Sequence, residues 1–251
     1  MPLRSLGFGD SAVQLDLQGT PVEAVCQRSA PLSTGSTQVW PAPQPIVEVG
    51  EPRIIGTRFQ DGQQVHPPLL ARAIAQAKTQ PPNSHGWGGI KVRDAETWNF
   101  PEAQLLSLRA MLMLCRWRGV ASAHVLDRWI NVMAPGDYST PHCHYEADAA
   151  VVYFLDPGDE NPAVDGRFEI IDSRIPFCCP SRPERPTRGL MPAMVPGTML
   201  LFPAEWLHHV KPYYGQRPRV TIAWNISVGP PPEGQVLDYT QQVAGIYRPA
   251  S

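Results

Sequence analysis

Two histidines separated by one cysteine, His142 and His144, end the run Asn131-Val132-Met133-Ala134-Pro135-Gly136-Asp137-Tyr138-Ser139-Thr140-Pro141-His142-Cys143-His144. Two adjacent histidines follow far downstream, in Leu207-His208-His209-Val210. On a strand, side chains two apart leave the same face, so His142 and His144 are expected to aim at one small volume. Neighbouring strand residues face opposite ways, so only one of the later pair can join them, and His208 is the expected member. Neutral imidazole is the commonest transition-metal ligand, and two close ligands plus a remote one leave coordination positions open for chemistry. Glu146 would add a carboxylate from the same face if the strand continued, either as an extra ligand or in a set of His144, Glu146 and His208; Asp148 is a more distant candidate. His66, His85 and His124 read as structural histidines.

A centre of this kind needs rigid elements around it, and the second half of the chain supplies short apolar runs punctuated by Pro and Gly. Residues 123–133, 149–155, 167–171, 198–202, 208–212 and 219–228 read as at least six strands, spaced as in a sandwich or barrel. Helical patterns precede them. Pro67 and Pro68 open a run to Lys78 with apolar positions 70, 73, 74 and 77 on one face, and Pro101 opens a second helix that is apolar almost all round. Helices first and strands after predict an α+β fold, with the helices packed on one side of a β-roll. Residues 1–55, with one alternating run at 13–17 and a Pro, Ser and Thr-rich stretch, read as an irregular N-terminal arm or edge strand, and 56–251 as the main domain. The Pro- and Arg-rich segment 175–195 lacks periodicity and reads as a lid carrying Arg182, Arg185 and Arg188 toward an anionic substrate, or as a solvated loop.

Composition narrows the class. A formal net charge of −2 leaves no basic footprint for general nucleic-acid binding. Five cysteines without a C-x-x-C argue against a disulfide framework or zinc ribbon. No stretch approaches a membrane span and residues 1–10 lack an apolar signal core, so the sequence reads as a reduced, cytoplasmic protein whose partners are small molecules or peptides.

The spacing of further residues carries a resemblance. Asn131-x-Met133-x-Pro135-Gly136 with a histidine eleven residues after the asparagine, then Phe202-Pro203, His208-x-Val210-x-Pro212 and Arg219-x-Thr221, resembles the 2-oxoglutarate and iron(II)-dependent dioxygenases. Asn83 with Gly86-Trp87, Gly136-Asp137-Tyr138, Asp172-Ser173-Arg174 and the run from Arg219 to Asn225 are similar to a bacterial and phage branch of these oxygenases that tends to read His-x-His. The resemblance covers about residues 80 to 228. It implies a double-stranded β-helix (a jelly roll), iron(II) and 2-oxoglutarate as cofactors, and dioxygen as co-substrate. It also implies a three-histidine centre of His142, His144 and His208, where the wider family has His-x-Asp. Arg219 and Thr221 would hold the far carboxylate of 2-oxoglutarate in charge-assisted hydrogen bonds, and Asn131 the carboxylate near the metal. The expected reaction is hydroxylation of a small metabolite or peptide, with Trp87, Tyr138, Tyr145, Trp206 and Tyr213 as candidate pocket walls. Two rivals stand beside it: a cupin-type metal dioxygenase or isomerase working without 2-oxoglutarate, and a non-catalytic jelly-roll binding protein.

Overall fold

The computed structural model describes residues 33–34, 37–38, 40, 44–50, 54–81, 89–93, 98–159, 166–171 and 189–231. The readings placed on residues 13–17, 83, 85–87, 172–174 and on the arginines of 182–188 fall outside them. The strands are β1 (Ser33–Thr34), β2 (Thr37–Gln38), β3 (Val47–Gly50), β4 (Ile54–Arg58), β5 (Ile90–Val92), β6 (Ala123–Met133), β7 (Ser139–His142), β8 (Ala149–Asp156), β9 (Phe168–Ile171), β10 (Gly189–Leu190), β11 (Thr198–Pro203), β12 (His208–Val210) and β13 (Arg219–Val228). Two helices, α1 (Gly62–Ala77) and α2 (Pro101–Arg118), precede β6. β1 and β2 pair with each other.

The other strands form two antiparallel sheets, a large one of order β3-β4-β11-β8-β13-β6-β5 and a small one of order β10-β9-β12-β7. This is the jelly-roll α+β architecture expected from the sequence. Strict alternation along the central strands builds it. On β8, β11 and β13, residues Val151, Tyr153, Leu155, Met199, Leu201, Val220, Ile222, Trp224 and Ile226 join the helices in one core. The intervening Ala150, Val152, Phe154, Leu200 and Phe202 meet Phe168 and Ile170 of the small sheet in a second core. A period of two thus gives each strand one face for each layer.

The helices are set by their ends. Phe100 is extended and Pro101 occupies the first helical position, where the missing N–H costs nothing. Glu102 stands in the first turn, Arg116 and Arg118 in the last, matching the helix dipole. Gly119 closes α2 at φ 67°, and the chain needs glycine there because a left-handed closing residue is costly with a Cβ. Ala103 and residues 105–115 of α2 are buried, as its all-round apolar pattern predicts. In α1 the sequence reading is corrected. The helix begins at Gly62, before the prolines, because the Asp61 carbonyl accepts from the Gln64 and Val65 N–H groups. Its buried face is therefore Val65, Leu69, Ala73 and Ala77, an i, i+4 row, while Leu70 and Ile74 are only half-buried. Burying Leu69 in full contributes about 1.5–3 kcal/mol.

A buried polar knot ties the helices together. Asp61, just before α1, makes a bidentate pair with Arg109 of α2, whose guanidinium also lies 4.0 Å from the Phe59 ring centroid. None of the helices among the described residues is long and apolar enough to cross a membrane.

Candidate metal centre

β7 and β12 pair so that His142 and His208 are direct cross-strand partners. Their ring centroids are 4.2 Å apart, and His144 stands 5.1 Å from each. One ligand atom from each of the three lies within 4.8 Å of the others. The cluster is the one expected, but one reason for it differs. β7 ends at His142, so His144 is not aimed by a continuing strand. Its backbone N–H instead donates to the Ala204 carbonyl at 2.8 Å, which draws the chain back across the start of the β11–β12 turn. The chain then turns at Tyr145-Glu146, and this rules out the continuing strand on which a Glu146 ligand depended. Glu146 is exposed, and the Asp148 carboxylate accepts the Val228 N–H at 2.8 Å. His209 points away, as alternation requires, and pairs with Glu169 at 3.1 Å.

Hydrogen bonds orient the rings. His142 Nδ1 donates to the Thr140 carbonyl at 2.8 Å and His208 Nδ1 to the Trp206 carbonyl at 2.9 Å, which leaves both Nε2 lone pairs for a ligand. His144 Nδ1 faces the side-chain amide of Asn225 at 3.4 Å, and Asn225 Oδ1 is buried without a hydrogen-bond partner. Exchanging the amide O and N, which are near-equivalent in shape, would let Oδ1 accept from His144 Nδ1 and give all three histidines one tautomer. All three are held neutral. Burial, then the charge of His142, pushes His208 well below its ordinary value; burial, then His142 and Lys91, brings His144 to about 4; burial lowers His142. Three neutral nitrogen donors fit a first-row divalent ion and leave its other positions open.

The same cavity is lined by Arg219, Thr221 and Asn131. Across the large sheet Arg219 faces Met133 of β6 and Thr221 faces Asn131, whose amide donates to the Thr221 hydroxyl at 3.4 Å. Arg219 is 1% exposed, and its guanidinium nitrogens lie 3.3 Å from Met133 Sδ and 3.4 Å from Met194 Sδ. Met194 belongs to the segment read as a lid or a solvated loop, and its described end packs on Arg219 and the inter-sheet core.

Of the expected aromatic wall, Trp87 lies outside the described residues, and Tyr138, Tyr145, Trp206 and Tyr213 do not line the cavity. Tyr145 is 87% exposed and Tyr138 is exposed. Tyr213 is fully buried beside Gly158 and Gly215, where its hydroxyl accepts the Asp159 N–H and donates to the Arg217 carbonyl. A Cβ on either glycine would collide with that hydroxyl at 2.2 Å. Trp206 packs on the inter-sheet core. The cavity wall is Trp129, with Lys91 and Asn225, none of which the sequence reading singled out. Trp129 was legible, since it lies two residues from Asn131 on the same strand face; Lys91 and Asn225 depend on strand pairing. Cys115 and Cys143 are free, and burial pushes the Cys115 thiol up to about 12.

Residues 127–225 match the model of the family described as "Putative 2OG-Fe(II) oxygenase". No curated protein matches the chain in sequence. Among solved structures, the non-heme alpha ketoglutarate dependent epimerase SnoN from nogalamycin biosynthesis is 13% identical, with 69% of this chain and 76% of that chain covered and a TM-score of 0.52. The carbocyclase SnoK of the same biosynthesis is 13% identical, with 69% and 78% covered and a TM-score of 0.50. A prolyl-4-hydroxylase from Pseudomonas putida is 17% identical, with 70% and 88% covered and a TM-score of 0.44. The family model covers 99 of the 251 residues, a segment that contains His142, His144 and His208, and the solved structures SnoN and SnoK share the fold of this chain.

Proposed function

We propose that the protein is a non-haem iron(II) and 2-oxoglutarate-dependent oxygenase that hydroxylates an unactivated C–H bond of a small metabolite or peptide. The observation that carries this reading is the placement of a three-histidine cluster and a buried arginine in one cavity, on facing sheets. His142, His144 and His208 would hold the iron. Bound there with 2-oxoglutarate and dioxygen, it would supply the oxidising power for the C–H bond, with succinate and carbon dioxide released. Arg219 would take the far carboxylate of 2-oxoglutarate in a bidentate pair, and its burial makes that pair strong by excluding water. Thr221, two residues along on the same face, would add a hydroxyl, and Asn131 would bond the carboxylate near the metal. SnoN has been solved with Fe3+, alpha ketoglutarate and nogalamycin RO bound, at a TM-score of 0.51 and 12% identity, which supports a small-molecule substrate by analogy of fold alone. The cupin reading expects a glutamate three or four residues after His144, and those positions are Ala147 and Asp148.

Anaerobic titration of the metal-free protein with iron(II) and 2-oxoglutarate tests the proposal. A visible charge-transfer band of the chelated 2-oxo acid is expected, lost in His208→Ala and Arg219→Ala and kept in Glu146→Ala. Iron binding without a band would sink the 2-oxoglutarate reading.

A further inference from the structure

Arg219 pairs across the large sheet with Met133 of β6, and each of its terminal nitrogens donates to a thioether: Nη1 to Met133 Sδ at 3.3 Å, Nη2 to Met194 Sδ at 3.4 Å. Thioether sulfur is a weak acceptor, so a carboxylate oxygen readily takes its place. The two methionines differ in freedom. Met133 is 2% exposed, and a Cβ on Gly89 would stand 3.1 Å from its Cγ, so backbone confines it on the side away from Arg219. Met194 is half-buried and lies outside any strand, between β10 and β11. With three rotatable side-chain bonds, it can draw back by the length of one extra atom.

Oxidation changes what such a sulfur offers. A sulfoxide is polar, and its oxygen accepts far more strongly than the thioether did. On Nη2 that oxygen would occupy one arm of the fork through which a guanidinium holds a carboxylate. Met191 provides the contrast. It is half-buried too, three positions earlier, but its Sδ lies 3.9 Å from Nζ of the exposed Lys211, which is not part of the cavity lining. Met111, Met113 and Met199 are fully buried in the helix-side core.

We propose that Met194 is a site of reversible oxidation by hydrogen peroxide, and that its sulfoxide pairs with Arg219 and shuts out the 2-oxo acid. The inference rests on the reading of Arg219 as the 2-oxoglutarate carboxylate site. In the step itself a sulfur lone pair attacks one peroxide oxygen, and the S–O bond forms as the O–O bond breaks. The sulfur loses two electrons, and the departing hydroxide takes up the proton of the transferred oxygen and leaves as water.

The experiment uses the full chain loaded with zinc(II), which is redox-silent, and titrates N-oxalylglycine, a 2-oxoglutarate analogue, by calorimetry before and after peroxide. Peptide mass mapping reads which methionines gain one oxygen. In the wild type Met194 should convert and the affinity should fall by about tenfold or more, the loss of one charge-assisted contact. Methionine sulfoxide reductase should restore it, which separates this effect from oxidation of Cys143. Met191→Leu should respond as the wild type does, whereas Met194→Leu, similar in volume, should keep its own untreated affinity through peroxide. Met194→Gln, whose amide oxygen stands in for the sulfoxide, should bind about tenfold more weakly than Met194→Leu with no peroxide at all. The proposal is overturned if Met194 stays reduced while Met191 converts, if Met194 converts and the affinity holds, or if Met194→Leu loses as much as the wild type. Failure of the untreated wild type to bind N-oxalylglycine would instead overturn the oxygenase reading. A double-mutant cycle of Met194→Gln with Arg219→Met in urea melts would then still decide whether an oxygen at position 194 pairs with Arg219.

Discussion

Asn225 faces His144 from the strand that also carries Arg219, Thr221 and Ala223, all on the cavity side of β13. A histidine that ligates a metal is steered by what its other nitrogen bonds, and here His142 and His208 rely on backbone carbonyls that no mutation can remove. His144 relies on a side chain. Asn225→Ala should therefore weaken cobalt(II) or iron(II) binding by about 10–100-fold, the usual cost of losing such a partner, while the fold stays intact. Metal titration of the variant against wild type measures it; equal affinities would mean that the Ala204 hydrogen bond to the His144 backbone suffices to place the ring. His142, His144 and His208 were legible from spacing and residue type alone, since few other roles bring a strand-spaced pair and a later strand histidine together. Asn225 was named only within a family-like run, and its partner lies 81 residues away, so no local pattern could reveal what it does.

β9 and β12 illustrate the element scale. The alternation that turns His208 inward turns His209 outward beside Glu169, its cross-strand partner, and Lys211 reaches the same carboxylate at 3.2 Å. The hydrogen bond from His209, then that from Lys211, holds Glu169 below its ordinary carboxylate range. A folded-state carboxylate of depressed pKa contributes stability above its unfolded pKa and loses it as pH falls through the folded value. The stability difference between wild type and Glu169→Gln should accordingly be present at neutral pH and close at acid pH, below the ordinary range for glutamate. Urea melts across pH 3–7, a span of about four units around that range, check the sign, and a gap that widens on acidification would refute the tie. Strand positions were largely readable: β6 and β13 run over the residues that alternation marks. The start of α1 was not, because prolines usually mark a first turn, and here the backbone of Asp61 nucleates the helix upstream of them.

At the scale of the molecule, the sheet separates two regions of different chemistry. On one side the three-histidine cluster sits between the sheets; on the other, the helices are held by the Asp61–Arg109 pair, with Arg109 fully buried. His66 and Tyr153 hydrogen-bond at 2.7 Å in the same layer, and burial lowers the one and raises the other. Removing one member of a buried ion pair leaves the other charge without compensation, so Asp61→Ala should cost about 3–5 kcal/mol in a urea melt. Below the transition, the iron and 2-oxoglutarate band should be unchanged, because Tyr153 and the helices pack on the sheet face opposite to the cavity. A variant that melts as the wild type does would show the pair to be replaceable by solvent.

The sequence by itself determined what local physics decides: which of the later runs become strands, and that His142, His208, Arg219 and Thr221 take their inward faces. Period-two alternation and residue chemistry suffice for that, because both act between near neighbours. Only the tertiary structure decided the rest. The turn at Tyr145-Glu146, beside the His144–Ala204 hydrogen bond, took Glu146 off the strand face of His142, and the cluster among the described residues is of three histidines. The pairing of β5 with β6 brought Lys91 beside Asn131, 40 positions on, and the packing of Gly158 and Gly215 against Tyr213 removed that ring from the cavity wall. Each of these outcomes depends on hydrogen bonds and contacts between segments far apart in the chain, whose register is fixed by cooperative packing of two sheets rather than by any stretch of sequence read alone.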